Sequence, residues 1–448
     1  MFNQYLESFL ERNRVNSAMP TQTAGWHTVL TRQFAPYALI AVILPPTIWI
    51  AVQISALVTS TGVRRPWEGY EPDYLAGLGA ALALGAFLLI APVRERNRLP
   101  LLLAWVIKCF VALGFMLVYE SQYDTLDAYS YHEQARLGEH AAADLTWGAG
   151  TQLVTYALQL LYKVLPPSYH MAKVLFAFMG LVGIYLVYRG WSIYTGDQSR
   201  RLFFILVLFP GILFWSSILG KEPVLIFSMG LYVYGLAYYL RCRQLVGLFL
   251  VCAAVILAGA IRPWMAIILS IPLGIGVFIS SRGPKKKWLI LIIFASALVA
   301  SIPLLDEYAA VSLRLDAINQ MSRGWSEGGA AQIAPEFGSY QDVAAFLPLG
   351  AFTALFRPLP GEIMNAFGLM ASLESLLLLG MMALGVMHWR QNLLKDPLYV
   401  MLCSLVLVWA IAYGLVSYQN LGTAVRFKAQ ILPVLLVVLW WPLWYRKR

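Results

Sequence analysis

The chain has 448 residues, 60% of them hydrophobic and only 12% charged, with 15 Trp and 24 Tyr. This balance excludes a large soluble domain and reads as an all-α polytopic membrane protein. The net charge of +10 does not point to nucleic acid, because the excess sits in short loops beside apolar runs.

In chain order, residues 1–35 are mixed and amphipathic with no cleavable signal, and read as a cytoplasmic N-terminal segment. Apolar runs matching the ~30 Å hydrocarbon thickness then recur along the chain. They fall at 36–58, 74–92, 101–119, 167–188, 202–219, 223–240, 245–261, 264–280, 288–305, 364–388, 398–416 and 427–445. The pattern predicts about twelve transmembrane helices. It divides into an N-terminal hairpin (36–100), a core with an acidic outer loop at 120–166 (101–305), an outer loop with a re-entrant segment (306–363), and C-terminal helices (364–448).

Threading these runs through a bilayer collects the basic clusters on one side. They are Arg94/Arg96/Arg98, Arg189/Arg200/Arg201, Arg241/Arg243, Arg282/Lys285/Lys286/Lys287, Arg390/Lys395 and the tail Arg446, Lys447 and Arg448. By the positive-inside pattern that side is cytoplasmic, with both termini on it. Two segments are neither spans nor ordinary loops. Residues 151–165, stopped by Pro166 and Pro167, mix apolar and polar positions at near-helical spacing and read as a helix lying in the outer interface. Residues 345–356 are apolar but too short to cross, and read as re-entrant.

The opposite rim carries the candidate chemistry. Asp124, Asp127 and Tyr131 share one face of a helix over 124–137, with His132 and Glu133 close by. Carboxylates at a span end, in a partly dry cleft, can serve as general bases; they can equally cap a surface helix. A lone His beside a carboxylate has no second ligand at metal spacing, so His132 reads as structural and no metal or cofactor is expected. The four cysteines, Cys109, Cys242, Cys252 and Cys403, likewise lack metal or disulfide spacing. Lys221 and Glu222 form the turn after a run interrupted by Pro210 and Gly211. Arg262, Arg357 and Arg426 lie at the same level, each flanked by Pro, Gly or an aromatic residue. A guanidinium matches the oxygens of phosphate, so this set of cations indicates an anionic substrate; a single Arg at a span end is more commonly an interfacial anchor. Glu374 stands alone within an apolar span, where a carboxylate needs a partner.

The ordered motifs Asp127-Ala-Tyr-Ser-Tyr-His-Glu133, Phe214-Trp-Ser-Ser followed by Lys221-Glu222, Arg262-Pro-Trp264, Phe356-Arg-Pro-Leu-Pro360 and Asn420-Leu-Gly-Thr423 followed by Arg426 resemble multispan bacterial sugar transferases. These are the GT-C-type glycosyltransferases and the related polysaccharide polymerases, and the resemblance runs from about residue 101 to 435. It implies a GT-C-like fold in the bacterial cytoplasmic (inner) membrane, with the active site facing the periplasm or exterior. It further implies a polyprenyl-phosphate-linked sugar donor, a glycan or lipid acceptor, and work beside other polysaccharide-assembly proteins. Carried onto this sequence, the base is Asp127, with Asp124 as substitute; Lys221, Arg262, Arg357 and Arg426 hold the leaving phosphate, and Glu222, Tyr131, His132 and Glu133 support them. The acidic loop follows the third span here, so 36–58 and 74–92 become an N-terminal addition. The alternatives are a polymerase joining oligosaccharides carried on polyprenyl pyrophosphate, which leans on its arginines more than on a carboxylate, and a transporter or flippase for a lipid-linked substrate. The last predicts paired broken helices in two halves, whereas one interruption, at Pro210, is found.

Overall fold

A computed structural model describes residues 70–120, 126–138, 145–280, 314–326, 330–363 and 365–445, together with separate positions between 283 and 296. The chain divides into two units, 1–53 and 54–448, and all described residues belong to the second. The expected span 36–58, the greater part of 288–305, and Asp124, Arg282 and Lys286 lie outside the described residues.

The described chain is helical, with one isolated antiparallel bridge between Ala331 and Asn420. Its helices are α1 (Tyr70–Ile90), α2 (Glu95–Phe110, continued by a π turn at Val111–Phe115 and a last turn at Met116–Glu120), α3 (Asp127–Leu137), α4 (Gly150–Tyr162) and α5 (Tyr169–Thr195). There follow α6 (Arg200–Leu208), α7 (Pro210–Trp215), α8 (Lys221–Cys242), α9 (Leu245–Ile261) and α10 (Pro263–Ser280). The last are α11 (Leu315–Trp325), α12 (Tyr340–Phe356), α13 (Ala366–Met387), α14 (Pro397–Gln419) and α15 (Leu421–Tyr445). Among the described residues seven helices are long and apolar enough to cross a membrane: α1, α2 through Glu120, α5, α8, α13, α14 and α15. This is an α-helical, membrane-embedded protein. The apolar helices α9 and α10 are shorter.

Local chemistry fixes the helix limits. Pro166 and Pro167 stop α4, and Ser168 caps α5 by accepting from the Met171 amide at 3.1 Å. Asn365 accepts from Gly368 to start α13, Asp396 accepts from Tyr399 to start α14, and Ser339 with Asp342 forms a capping box on α12. The run at 202–219, with Pro210 and Gly211 inside it, forms two helices. Pro210 lacks the amide that would continue α6, so the helix stops at Leu208 and restarts as α7 with Pro210 in its first turn.

α5 packs along α8, α8 along α9, and α14 lies against α10, α12 and α15. The α5–α8 approach rests on absent side chains: a methyl group on Gly230 would strike the Gly183 carbonyl, and one on Gly183 would meet Phe227 Cα at 2.6 Å. Side-chain contacts between helices gather at two ends of the bundle. One end gathers the tip of α2, α3 and the starts of α8 and α15. The other holds Asn97 against Tyr185 and the Tyr194 hydroxyl donating to Asp396 at 2.9 Å. The arginines at 94–98, 189–201, 241–243 and 390 sit at helix ends or turns.

α4 covers most of the stretch 151–165, expected to be helical, and α12 runs through 345–356 as part of one 17-residue helix. α11 closes over the first end: Gln419 donates to Ser322, Gln332 donates to the Gln419 carbonyl at 2.7 Å, and Leu421 donates to the Ala330 carbonyl at 3.1 Å.

Candidate functional site

At that end the tip of α2, the start of α3, the chain after α7 and the first turns of α13 and α15 enclose a cavity of about 470 Å³. The π turn in α2 shifts the register of its last turn, and Met116, Tyr119 and Glu120 line the cavity. Its lining combines apolar Trp215, Ile218, Leu219 and Phe367 with polar Asn365, Asn420, Thr423, Asp127 and Arg426. Tyr119, Phe214 and Phe367 meet edge to face, with the Tyr119 ring 5.0 and 5.2 Å from the other two.

Arg426 is the centre of the site. Its Nε donates to Glu222 Oε1 at 2.7 Å and its NH2 to Oε2 at 3.3 Å, the side-on bidentate arrangement that fits guanidinium to carboxylate. Its NH1 donates to Asp127 Oδ2 at 2.8 Å. The two carboxylates are not equivalent: the Glu222 side chain is wholly buried, whereas 58% of the Asp127 side chain is exposed. Arg262 reaches the same Glu222 oxygen at 3.6 Å. Its guanidinium lies 4.3 Å from the Phe427 ring centre, and its NH1 donates to the Tyr413 hydroxyl, which also accepts from Trp264. Lys221 is half-buried beside them and makes no hydrogen bond or ion pair with any described residue. Tyr131 stands against this charge; burial first, then the carboxylates of Asp127 and Glu222, push its hydroxyl up to about 12.

Asp127, Lys221, Glu222, Arg262, Arg426 and Tyr131 are therefore brought together from four separate parts of the sequence. The rest are not, and Asp124 lies outside the described residues. His132 is buried between α3, α4 and α5, shares a hydrogen bond with the Tyr162 hydroxyl at 2.8 Å, and is held by burial below the usual histidine range. Glu133 is paired in solvent with Arg136 one helical turn on, at 2.6 Å. Arg357 is spent elsewhere: its Nε donates to Glu362 at 2.8 Å and its guanidinium lies 5.6 Å from the Tyr418 ring. Burial opposes the Glu362 charge, but the hydrogen bond from Arg357 and the Leu359 amide hold its carboxyl below the usual range.

Three buried groups were invisible as partners in the sequence. Glu120, on the cavity wall, takes Lys173 at 2.9 Å on both oxygens and the Tyr169 hydroxyl at 2.6 Å. Lys428 pairs with Glu374 at 3.5 Å and donates to Ser375. Lys108 donates to the Ser216 carbonyl at 2.8 Å and to the Ser217 hydroxyl at 3.0 Å. No group of three or more metal-ligating side chains occurs among the described residues, whose four cysteines are free. Compared with protein-family models, curated proteins and solved structures, the chain matches none.

Proposed function

We propose that this chain is an integral-membrane glycosyltransferase of GT-C-like layout, with about twelve spans when those outside the described residues are included. In this reading it sits in the bacterial inner membrane and takes a sugar from a polyprenyl-phosphate donor to a glycan or lipid acceptor at the outer rim. The observation that carries the reading is the charge around Glu222. Three cations, Lys221, Arg262 and Arg426, face two carboxylates beside a cavity lined by both apolar and polar side chains. An anionic head on a hydrocarbon chain combines the same two characters.

In the proposed reaction the acceptor hydroxyl attacks the anomeric carbon and its proton passes to Asp127. The bond from that carbon to the phosphate oxygen breaks, and the electron pair leaves on the phosphate. Charge grows on phosphate in that step, and fixed cations in a dry site stabilise it without having to reorganise. Arg426 and Arg262 are fixed by Glu222, and Lys221 is the cation of this cluster that has no hydrogen bond or ion pair with a described residue. Arg357, expected in this set, is left out because Glu362 already occupies it.

One observation favours a second reading. Asp127 is engaged by Arg426, as suits a polysaccharide polymerase that relies on arginine and has no need of a carboxylate base. Extracellular polysaccharide and lipid-linked intermediates, measured in cells producing Asp127→Asn or Arg426→Lys at normal membrane levels, separate the two. A general base contributes about 10²–10⁴-fold, so the transferase predicts near-complete loss of product in Asp127→Asn. Product retained in Asp127→Asn but lost in Arg426→Lys establishes the polymerase instead, and product retained in both removes the site from either reaction.

A further inference from the structure

Resting on that reading, we infer that Asp127 holds the place of the substrate's phosphate on Arg426 and is displaced when a phosphate monoester or diester binds. Arg426 offers five N–H groups, of which three are used: two on Glu222 and one on Asp127. The Glu222 edge is buried and doubly bonded, so it fixes the guanidinium. The NH1 edge is met by one bond from an exposed carboxylate at the cavity wall, and two N–H groups have no partner among the described residues. Any anion entering the cavity meets that edge first.

The charges agree. With Asp127 in place the cluster carries a surplus of one positive charge; with Asp127 swung away the surplus is two, against the one or two negative charges of a phosphate ester. Carboxylate and phosphate present the same pair of acceptor oxygens to a guanidinium, so the exchange costs Arg426 no change of geometry. Release also gives Asp127 a function that the ion pair denies it. Freed only when donor phosphate is seated, its carboxylate becomes available to an acceptor hydroxyl at that moment and not before.

The test is binding of farnesyl phosphate, with sodium pyrophosphate and farnesol as comparisons, to the purified full chain in neutral phosphatidylcholine nanodiscs. An internal competitor lowers affinity by the strength of its own bond. For a half-exposed ion pair this predicts that Asp127→Asn binds farnesyl phosphate about twofold to fivefold tighter than the parent. Arg426→Lys loses the forked donors and binds more weakly in either background. Affinity unchanged or reduced in Asp127→Asn, with Arg426→Lys still weakened, overturns the displacement and leaves the phosphate site standing. Indifference to both substitutions overturns the phosphate site itself. Asp127 is exposed and Asn keeps its shape, so folding is unaffected; thermal midpoints of both variants confirm this. Tightening seen with pyrophosphate but not farnesyl phosphate supports the exchange and assigns it to a water-soluble phosphate.

Discussion

Glu222→Gln isolates the feature on which the site depends. The side chain is fully buried, and one carboxylate neutralises Arg426 at 2.7 and 3.3 Å and Arg262 at 3.6 Å. Glutamine keeps the volume and one acceptor oxygen but removes the charge, leaving two guanidinium groups with Asp127 as their remaining counter-ion in the cluster. Removing one partner of a buried ion pair costs about 3–5 kcal/mol. Arg426 retains Asp127 and is 27% exposed, which places this case at the lower end, about 3 kcal/mol. Unfolding entropy of about 2.1 cal/mol/K per residue over 448 residues gives about 0.9 kcal/mol/K, so the midpoint falls by roughly 3 °C. Thermal unfolding of the purified protein in detergent, followed by tryptophan fluorescence, measures it. A second variant separates charge from packing: Glu222→Gln with Arg426→Gln removes one charge of each sign and is less destabilised than the sum of its parts. A Glu222→Gln midpoint within about 1 °C of the parent refutes the argument, since it would mean that Glu222 is not the counter-ion of a dry pair.

Three further outcomes follow from other parts of the bundle. Lys428→Met strands the buried Glu374 carboxylate and costs about 3–5 kcal/mol in thermal unfolding, much of it recovered by adding Glu374→Gln. Gly230→Leu drives a side chain into the Gly183 backbone where α5 and α8 meet; overpacking costs about 1–3 kcal/mol or more, visible as a lower midpoint, while Gly79→Leu, with open space around it, is neutral. Glu362 titrates below the ordinary glutamate value of 4.5 in the folded state, so its contribution is complete above that value and is lost as pH falls through the folded value. The midpoint difference between the parent and Glu362→Gln therefore narrows on going from pH 7 to about 4, and a constant difference refutes the Arg357 pairing.

How far the sequence led depended on what kind of information each feature carries. Helices such as α5 and α8 are legible because apolar length, Pro–Pro stops and Ser caps are local facts. The cluster at Glu222 was legible because charge at one rim of apolar spans is costly unless it is used, which drew attention to Lys221, Arg262 and Arg426 without any knowledge of their partners. Partner choice was the part that did not show. Arg357 and Arg426 look alike as Arg at span ends, and only the fold places Glu362 beside one and Glu222 beside the other. The same holds for Glu120 and Lys173, 53 residues apart, each of which reads alone as an isolated charge near a span end. A signal was present all the same: Glu120 ends one apolar run and Lys173 begins another, and two opposite charges inside spans seldom go unmatched.

The break at Pro210 connects these buried groups to the cavity. Pro210 ends α6, and the Gly211 amide exposed at the new helix start donates to Glu374 on α13. Glu374 faces Lys428, two residues beyond Arg426 on α15. At the far end of the same short helix, Ser216 and Ser217 receive Lys108 from α2. α7 is thus clamped at both ends by buried charged side chains from two other helices, and a six-residue helix has little cooperativity of its own with which to hold position. The clamped element carries Trp215, whose ring lies 5.9 Å from the Arg426 guanidinium, and leads within seven residues to Lys221 and Glu222. An unbroken helix over 202–219 would leave neither the amide that Glu374 accepts from nor the turn that brings Glu222 under Arg426. The interruption, costly as it is within an apolar bundle, is what builds the rim site.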